Sequence, residues 1–477
     1  MLRHVECVAL SARSSKRPLA LQAALCIYLA GLSACATVPK VSPAVGQAAS
    51  AEKPQITGAR GPLTSAQIKA KIDQLTDTPG EDALLRRHLA IEQAVAESPL
   101  VAGETTHLLK DGVITFRAMF AAIRSAKHSL NLEYFIFEDV DSDGVHLGDL
   151  LLAKRREGVA VNVIYDSFGS GDTPKAFFDR LRQASVNVVE YNPLNPLKAK
   201  VGYSPNSRDH RKILLVDGAS AIVGGVNLST TYQPNPEGKS GGIPGEPAAH
   251  WRDTDVEIIG PVVAQLQNLF RDHWREQHGP VIDESGWFPT VPPAGPDVVR
   301  IIGSSPGLKA SGYYITVISA IRSAQKSITA SAAYFVPTPA EMDALTEAAR
   351  RGVNVRLLLP DRSDSPNSIA LGHTHYADLL KAGVKIFETH DLVLHSKTVV
   401  VDSVWSAVGS SNFDHRSVIM NDEVDAVVLG AETAKELEAM AEDDRASAHA
   451  IEPKAWSRRS LSDRVKEVYA RIWERWL

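Results

Sequence analysis

His210-Arg211-Lys212 is followed by four residues, Asp217, six more residues and Gly224-Gly225-Val226-Asn227. The same spacing returns 185 positions later as His395-Ser396-Lys397, four residues, Asp402, six residues and Gly409-Ser410-Ser411-Asn412. The runs Ile213 to Val216 and Thr398 to Val401 are aliphatic or β-branched, which predicts a strand in each copy. A histidine and a lysine two positions apart on a strand project from one face and aim at one point. A single such pair means little, because a lone histidine is usually a hydrogen-bonded surface or core residue. Two intact copies exclude coincidence and point to a duplicated unit that has kept its chemistry.

Working outward, Ala122-Ile123-Arg124-Ser125-Ala126 recurs as Ala320-Ile321-Arg322-Ser323-Ala324 at an offset of 198. Strand-like runs follow each, Leu130 to Phe137 and Ile328 to Val336. Arg155-Arg156-Glu157-Gly158-Val159 matches Arg350-Arg351-Gly352-Val353, with a helix-like run before each and Val161 to Tyr165 or Val355 to Leu359 after. Val186 to Glu190 and Val384 to Glu388 restore the 198 offset. Alternating helices and strands predict an α/β fold with helices packed on sheet faces. The two copies divide the body into residues 98–290 and 291–477. Before them, Ile68, Ile72, Leu75, Leu84, Leu85, Leu89 and Ile91 fall near helix spacing and predict a helical preface over 65–97.

The 477 residues are 44% hydrophobic and 22% charged, which excludes a disordered chain and a protein of many membrane spans. A net charge of -5 lacks the positive field that nucleic-acid binders use, so nucleic acid is disfavoured as a partner. Cys7, Cys26 and Cys35 all precede the main body, leaving it no disulfide framework. Arg3, Arg13, Lys16 and Arg17 lead into the apolar run Leu19 to Ala34, too short to span a bilayer and typical of a signal peptide. Leu32-Ser33-Ala34-Cys35 resembles the lipobox of bacterial lipoproteins, which implies cleavage before Cys35 and its acylation; the competing readings are an ordinary cleaved signal or a buried thiol. Residues 1–34 therefore read as a signal peptide. The Ala/Pro/Ser/Gly-rich stretch that follows makes residues 35–64 a lipid-anchored tether. Ala36 lacks the aspartate of an inner-membrane retention signal, which favours the periplasmic face of the outer membrane.

Two histidines and two lysines among amide and hydroxyl donors suit a phosphodiester. Lys212, Lys397, Asn227, Asn412 and Ser410 would hold non-bridging oxygens and offset charge in the transition state. Gly225 lets a ligand approach the backbone. A neutral imidazole can attack phosphorus while a protonated one gives its proton to the leaving oxygen. This inventory requires no metal and no cofactor. His250, His373 and His375 are possible ligands, but neither cysteine nor clustered carboxylates complete a site around them.

These motifs resemble the phospholipase D superfamily, whose signature is a duplicated HxKx4D followed by G-[GS]-x-N, over about residues 98–477. Within it the chain is similar to bacterial cardiolipin synthases, by Leu132-Glu133-Tyr134-Phe135-Ile136-Phe137, Tyr334-Phe335-Val336-Pro337-Thr338, Trp251-Arg252-Asp253-Thr254-Asp255 and Ser411-Asn412-Phe413-Asp414-His415-Arg416-Ser417. The resemblance implies two α/β sandwich halves related by a pseudo-twofold axis, with the active site at their interface. It further implies phosphatidyl transfer through a phosphohistidine, with His210 as nucleophile, His395 as general acid and phosphatidylglycerol or phosphatidylethanolamine as substrate. Cardiolipin would be the product if the acceptor is phosphatidylglycerol.

Each imidazole needs an acceptor that fixes its tautomer. Glu423, 11 residues after Asn412, stands where the family places such a carboxylate. Trp251 to Gly260 aligns with Asn421 to Gly430 at an offset of 170, which puts Asp253 opposite it as the matching orienter. Asp217 and Asp402 are the second choice, since their odd spacing from the lysines favours a structural role. The first half also carries a Gly/Pro-rich insertion at 233–249, a surface loop or a flap beside the substrate entrance. The apolar stripe from Trp456 to Leu477 is expected to dock on its own domain rather than on a membrane. Two other functions compete: resolution by water, giving a phospholipase D hydrolase or nuclease, and a non-enzymatic envelope lipoprotein that binds head groups. Spacing does not choose between water and alcohol, because water exclusion depends on the shape of the cleft.

Overall fold

A computed structural model describes residues 55–95, 98–193, 204, 206–233, 251–307 and 311–460. The signal peptide, Cys35, most of the tether, loop residues 234–249 and the tail beyond 460 lie outside the described residues. Among the described residues no helix is long and apolar enough to cross a membrane.

In the first half, seven strands lie side by side in the order Leu100–Lys110, Thr254–Ile259, Ser220–Gly224, Lys212–Val216, Ser129–Tyr134, Ala160–Asp166 and Asn187–Tyr191. The second half repeats that order with Asp297–Ser304, Asn421–Leu429, Trp405–Gly409, Thr398–Val401, Ser327–Ser331, Asn354–Pro360 and Lys385–Thr389. The last three strands of each series run parallel, and parallel neighbours need crossover connections. Helices Leu147–Arg156 and Lys175–Gln183 supply them in one half, Pro339–Arg350 and Pro366–Ala382 in the other. Leu100–Lys110 also pairs antiparallel with Asp297–Ser304, joining the two sheets edge to edge.

After Lys212 and Thr398 the motif strands are apolar at every position, because both of their faces are covered. Leu214 and Val216 point into a core drawn from the first half but for Val393, with Phe116, Phe120 and Leu132. Ile213 and Leu215 point the other way, into a core shared with Val400, Val408, Val424 and Ala426 of the second half. That shared apolar layer fixes the two sheets against each other and so fixes where the motifs ahead of these strands meet.

Two expectations need correcting. The tether ends earlier than residue 64: Ile56–Gly58 turns back on Gly61–Pro62 and adds to Leu100–Lys110 as a parallel strand, with Ile56 buried. The burial of one isoleucine and a handful of ladder bonds hold a segment whose composition reads as linker. The strand-like runs to Phe137 and Val336 also stop short, at Tyr134 and Ser331. Beyond those points the chain leaves the sheet, and Ile136 and Tyr334 donate their backbone N–H groups to the side chains of Asn227 and Asn412.

The preface forms two helices, Ser65–Gln74, capped by Thr64 and Gln67, and Glu81–Val95. The second is anchored in the second half, where buried Glu92 accepts from Arg300 Nη1 at 2.8 Å and from Trp405 Nε1 at 2.8 Å.

Candidate active site

His210 and His395 do not sit within the long strands. Each stands just beyond a two-residue strand that pairs with the other half. Arg208–Asp209 lies parallel to Asn421–Asp422, and Val393–Leu394 lies parallel to Trp251–Arg252. The ladders continue into the histidines, whose backbone N–H groups donate to Asp422 O at 2.9 Å and Arg252 O at 2.7 Å. The next residue along each partner segment is Glu423 or Asp253. The backbone therefore delivers each carboxylate to the histidine of the opposite half.

The side chains follow. His210 Nδ1 lies 2.9 Å from Glu423 Oε2, and His395 Nδ1 lies 2.6 Å from Asp253 Oδ2. All four groups are buried. An ionised carboxylate only accepts, so each Nδ1 carries the proton and each Nε2 keeps a lone pair, that of His395 with the Lys397 ammonium 3.3 Å away. Glu423 is held by Ser410 Oγ at 2.5 Å and Ser417 Oγ at 3.0 Å. Asp253 is held by the backbone N–H of Thr254 at 2.8 Å and the phenol of Tyr232 at 3.2 Å, and that phenol also lies 3.0 Å from His395 Nδ1.

Tyr232 was not singled out from sequence, although a signal exists. It stands five residues after Asn227, as Ser417 stands five after Asn412, and both hydroxyls donate to the orienting carboxylate of their own half.

Burial disfavours the charged imidazole at both sites. It lowers His210 against the pull of Glu423, and together with the Lys397 ammonium it pushes His395 down to about 4. Both carboxylates stay below their usual range despite burial, Asp253 because of Lys397 and His395, Glu423 because of His210. Burial brings the Lys212 ammonium down to about 7, against the opposing charge of Glu423. Lys397 acts electrostatically on both His210 and Lys212, so the two motifs share one field. The lysines fold back on their own motifs: Lys212 Nζ donates to His210 O at 2.6 Å, and Lys397 Nζ reaches His395 O and lies 2.7 Å from His395 Nδ1. Phe135 meets the His210 ring edge-on at 5.2 Å, and Trp251 packs on His395 at 4.7 Å.

Other expected site residues are placed differently. Asn227 and Asn412 commit their amide oxygens to backbone N–H groups; Asn227 also hydrogen-bonds the Tyr232 phenol, and the NH2 of Asn412 is the donor left for a phosphate oxygen. Ser410 serves Glu423, and a Cβ on Gly225 would collide with Asp253, so both positions shape the carboxylates rather than a ligand's path. Asp217 and Asp402 do not join the histidines. Asp217 accepts the backbone N–H groups of Lys127, His128 and Ser129, and Asp402 those of Gln325, Lys326 and Ser327. Each clamps the turn ahead of the neighbouring strand. Asp217→Ala or Asp402→Ala is accordingly expected to cost about 2–4 kcal/mol of stability, from unpaired backbone donors, with kcat per folded molecule little changed. Urea unfolding beside activity measurements checks this; full stability with lost turnover would return these aspartates to the site.

Among the described residues, Glu133, Asp209 and His273 bring ligand-type atoms within 4.8 Å of one another. Burial opposes protonation of His273, yet Glu133 at 2.8 Å holds it up at about 9, and Arg211 Nη1 lies 3.2 Å from the same carboxylate oxygen. His373 Nε2 is 2.9 Å from Glu388, and His250 lies outside the described residues.

An α/β duplication that brings a His–Lys pair from each half to one buried seam defines the phospholipase D class of enzymes. The family described as "Cardiolipin synthase, PLD-like domain" matches residues 119–235 and 317–445. "Cardiolipin synthase A" of Pseudomonas fluorescens is 36% identical over 356 residues, covering 74% of this chain and 71% of its own. A probable cardiolipin synthase of Bacillus subtilis is 32% identical over 372 residues, covering 76% of this chain and 71% of its own. The phosphatidylserine synthase structure from Haemophilus influenzae shares the fold, with a TM-score of 0.62 at 12% identity over 83% of this chain and 100% of that one. The chain belongs to the cardiolipin synthase family of phospholipase D-like enzymes.

Proposed function

We propose that the protein forms cardiolipin from phosphatidylglycerol by phosphatidyl transfer through a phosphohistidine. The observation that carries this reading is the crossed pair of contacts, His210 with Glu423 and His395 with Asp253, which leaves two Nε2 atoms for one phosphodiester. His210 attacks phosphorus, the bond to the head-group oxygen breaks, and His395 gives that oxygen its proton. A hydroxyl of the second lipid then forms the new P–O bond, passes its proton to His395, and the P–N bond breaks. Lys212, Lys397 and the amide of Asn412 offset the charge that develops on phosphorus oxygens. Burial keeps His210 neutral and nucleophilic, and the bound phosphodiester anion supplies the charge that favours an imidazolium at His395. The names of the Pseudomonas and Bacillus relatives support a phospholipid substrate and this product.

The test is incubation of the purified protein with labelled phosphatidylglycerol, phosphatidylethanolamine and DNA. Labelled cardiolipin with release of glycerol is expected; phosphatidic acid as sole product would make water the acceptor, and cleavage of DNA alone would overturn the lipid reading. We also propose that Cys35 anchors the chain by acylation to the outer membrane. Metabolic palmitate labelling is expected to vanish in Cys35→Ala; label that persists, or a chain that fractionates with the cytosol, defeats the anchor.

A further inference from the structure

On the His395 side of the site stands an exposed carboxylate that neither transfer step uses. Asp364 lies in the connection between the strand Asn354–Pro360 and the helix Pro366–Ala382, and it is exposed. The Tyr334 phenol donates to Asp364 Oδ1 at 2.7 Å, and Ser363 Oγ donates to the same oxygen at 3.0 Å. The Tyr334 ring meets the His395 ring edge-on at 5.9 Å. One side chain thus bridges the imidazole and the exposed acid. Four carboxylates act on the Lys397 ammonium, namely Asp253, Glu423, Asp364 and Asp255, and three of them are buried. Only Asp364 of that set is open to a ligand, and both hydrogen bonds to it fall on Oδ1, which keeps Oδ2 as an acceptor.

Among the described residues, the matching connection of the first half has no acid bridged to its histidine by a phenol. Between Ala160–Asp166 and Lys175–Gln183 it presents Phe168, 62% exposed, with the Arg208 guanidinium 5.5 Å from its ring centroid. Gly169 beside it packs against the carbonyl of Phe135, the residue that touches His210. An exposed aromatic ring therefore stands on the His210 side, over a guanidinium that is itself buried against Asp166, and an exposed acid with its phenol stands on the His395 side. The acyl chains of a phosphatidyl group suit the first. An alcohol head group rich in hydroxyls suits the second, because each O–H can donate to a carboxylate, and such charge-assisted bonds are the strong ones.

We propose that Asp364, oriented by Tyr334, determines specificity for a polyol by holding a second hydroxyl of the alcohol whose first hydroxyl reacts at His395. The inference rests on the transfer reading above and adds the class of acceptor. In the step it serves, the reacting hydroxyl forms the O–P bond, its proton passes to His395 and the P–N bond to His210 breaks. Asp364 only accepts a hydrogen bond and moves no proton. A monohydric alcohol has no second hydroxyl to offer, and an ammonium alcohol would answer to the same carboxylate by charge instead.

The experiment uses the purified protein with phosphatidylglycerol in detergent micelles and three soluble acceptors: labelled glycerol, 1-butanol and labelled ethanolamine. Incorporation of glycerol into lipid and formation of phosphatidylbutanol are measured side by side. Asp364→Ala is expected to lower the glycerol-to-butanol ratio about tenfold, the loss appearing in the apparent KM for glycerol. Tyr334→Phe keeps the ring against His395, removes the hydroxyl and is expected to move the ratio the same way. Equal losses with glycerol and butanol would reveal a merely structural role and overturn the proposal. A loss confined to ethanolamine would make the seat a cation site and overturn it as well. If the unmodified protein transfers to both alcohols and neither variant shifts the ratio, this inference alone fails; if the unmodified protein transfers to no alcohol, the transfer reading fails and takes the inference with it.

Discussion

His210→Ala and His395→Ala are each expected to reduce turnover of phosphatidylglycerol by roughly four orders of magnitude or more, and the double variant is expected to be little worse than either single one. Nucleophile and proton donor act as a unit, so losing one leaves the other with almost nothing to catalyse, and such losses do not add. Removal of His210 takes away the atom that bonds phosphorus. Removal of His395 leaves an alkoxide to depart without a proton. Neither change should unfold the chain, because the backbone N–H groups of both residues keep their partners, Asp422 O and Arg252 O, whatever the side chain. Product formation from labelled lipid, with circular dichroism as the control for folding, gives the measurement. A double variant far slower than both singles, or activity abolished by a chelator, would count against the two-histidine mechanism.

The sequence carries the fold most clearly where burial is two-sided. Ile213 to Val216 reads as strand because every residue is apolar, and every residue is apolar because alternate side chains enter different cores. The position of the carboxylates is legible too, since the 170 offset sets Asp253 opposite Glu423. Their crossing is not. An alignment of one half with the other reports equivalence within halves and says nothing of pairing between them. The ladders that cause the crossing, Arg208–Asp209 on Asn421–Asp422 and Val393–Leu394 on Trp251–Arg252, are two residues long, too short for any periodicity. The same brevity hides the histidines' departure from the long strands. Tyr232 and Ser417 share only a hydroxyl, so the repeat shows them as dissimilar although both hold a carboxylate. The docking of the preface helix is silent for another reason: its anchor is Glu92, a residue type that sequence patterning assigns to solvent, paired here with buried Arg300 and Trp405.

The crossing has a kinetic signature, and it carries the second large effect. Glu423→Gln and Asp253→Asn are each expected to slow turnover of a natural lipid by roughly a hundredfold to ten-thousandfold, because an amide no longer fixes the Nδ1–H tautomer or offsets an imidazolium. With a phosphatidyl donor whose leaving group is p-nitrophenolate, the two variants should separate. That anion departs without a proton, so the first step needs the nucleophile but not the acid. Asp253→Asn damages His395 and should keep the initial burst of nitrophenolate, as should His395→Ala. Glu423→Gln damages His210 and should lose the burst, as should His210→Ala. Were each carboxylate serving the histidine of its own half, the grouping would be reversed, with Asp253→Asn losing the burst and Glu423→Gln keeping it. Rapid quenching with phosphorus-labelled donor, followed by peptide mapping, fixes which histidine bonds phosphorus and so anchors the comparison. Label on the His395 peptide would exchange nucleophile and acid, and the crossed contacts would then require Asp253→Asn, not Glu423→Gln, to lose the burst. The carboxylate that fails with the labelled histidine must come from the other half in either case, and a match within one half would refute the arrangement in which Asp422 and Arg252 hand their neighbours across the seam.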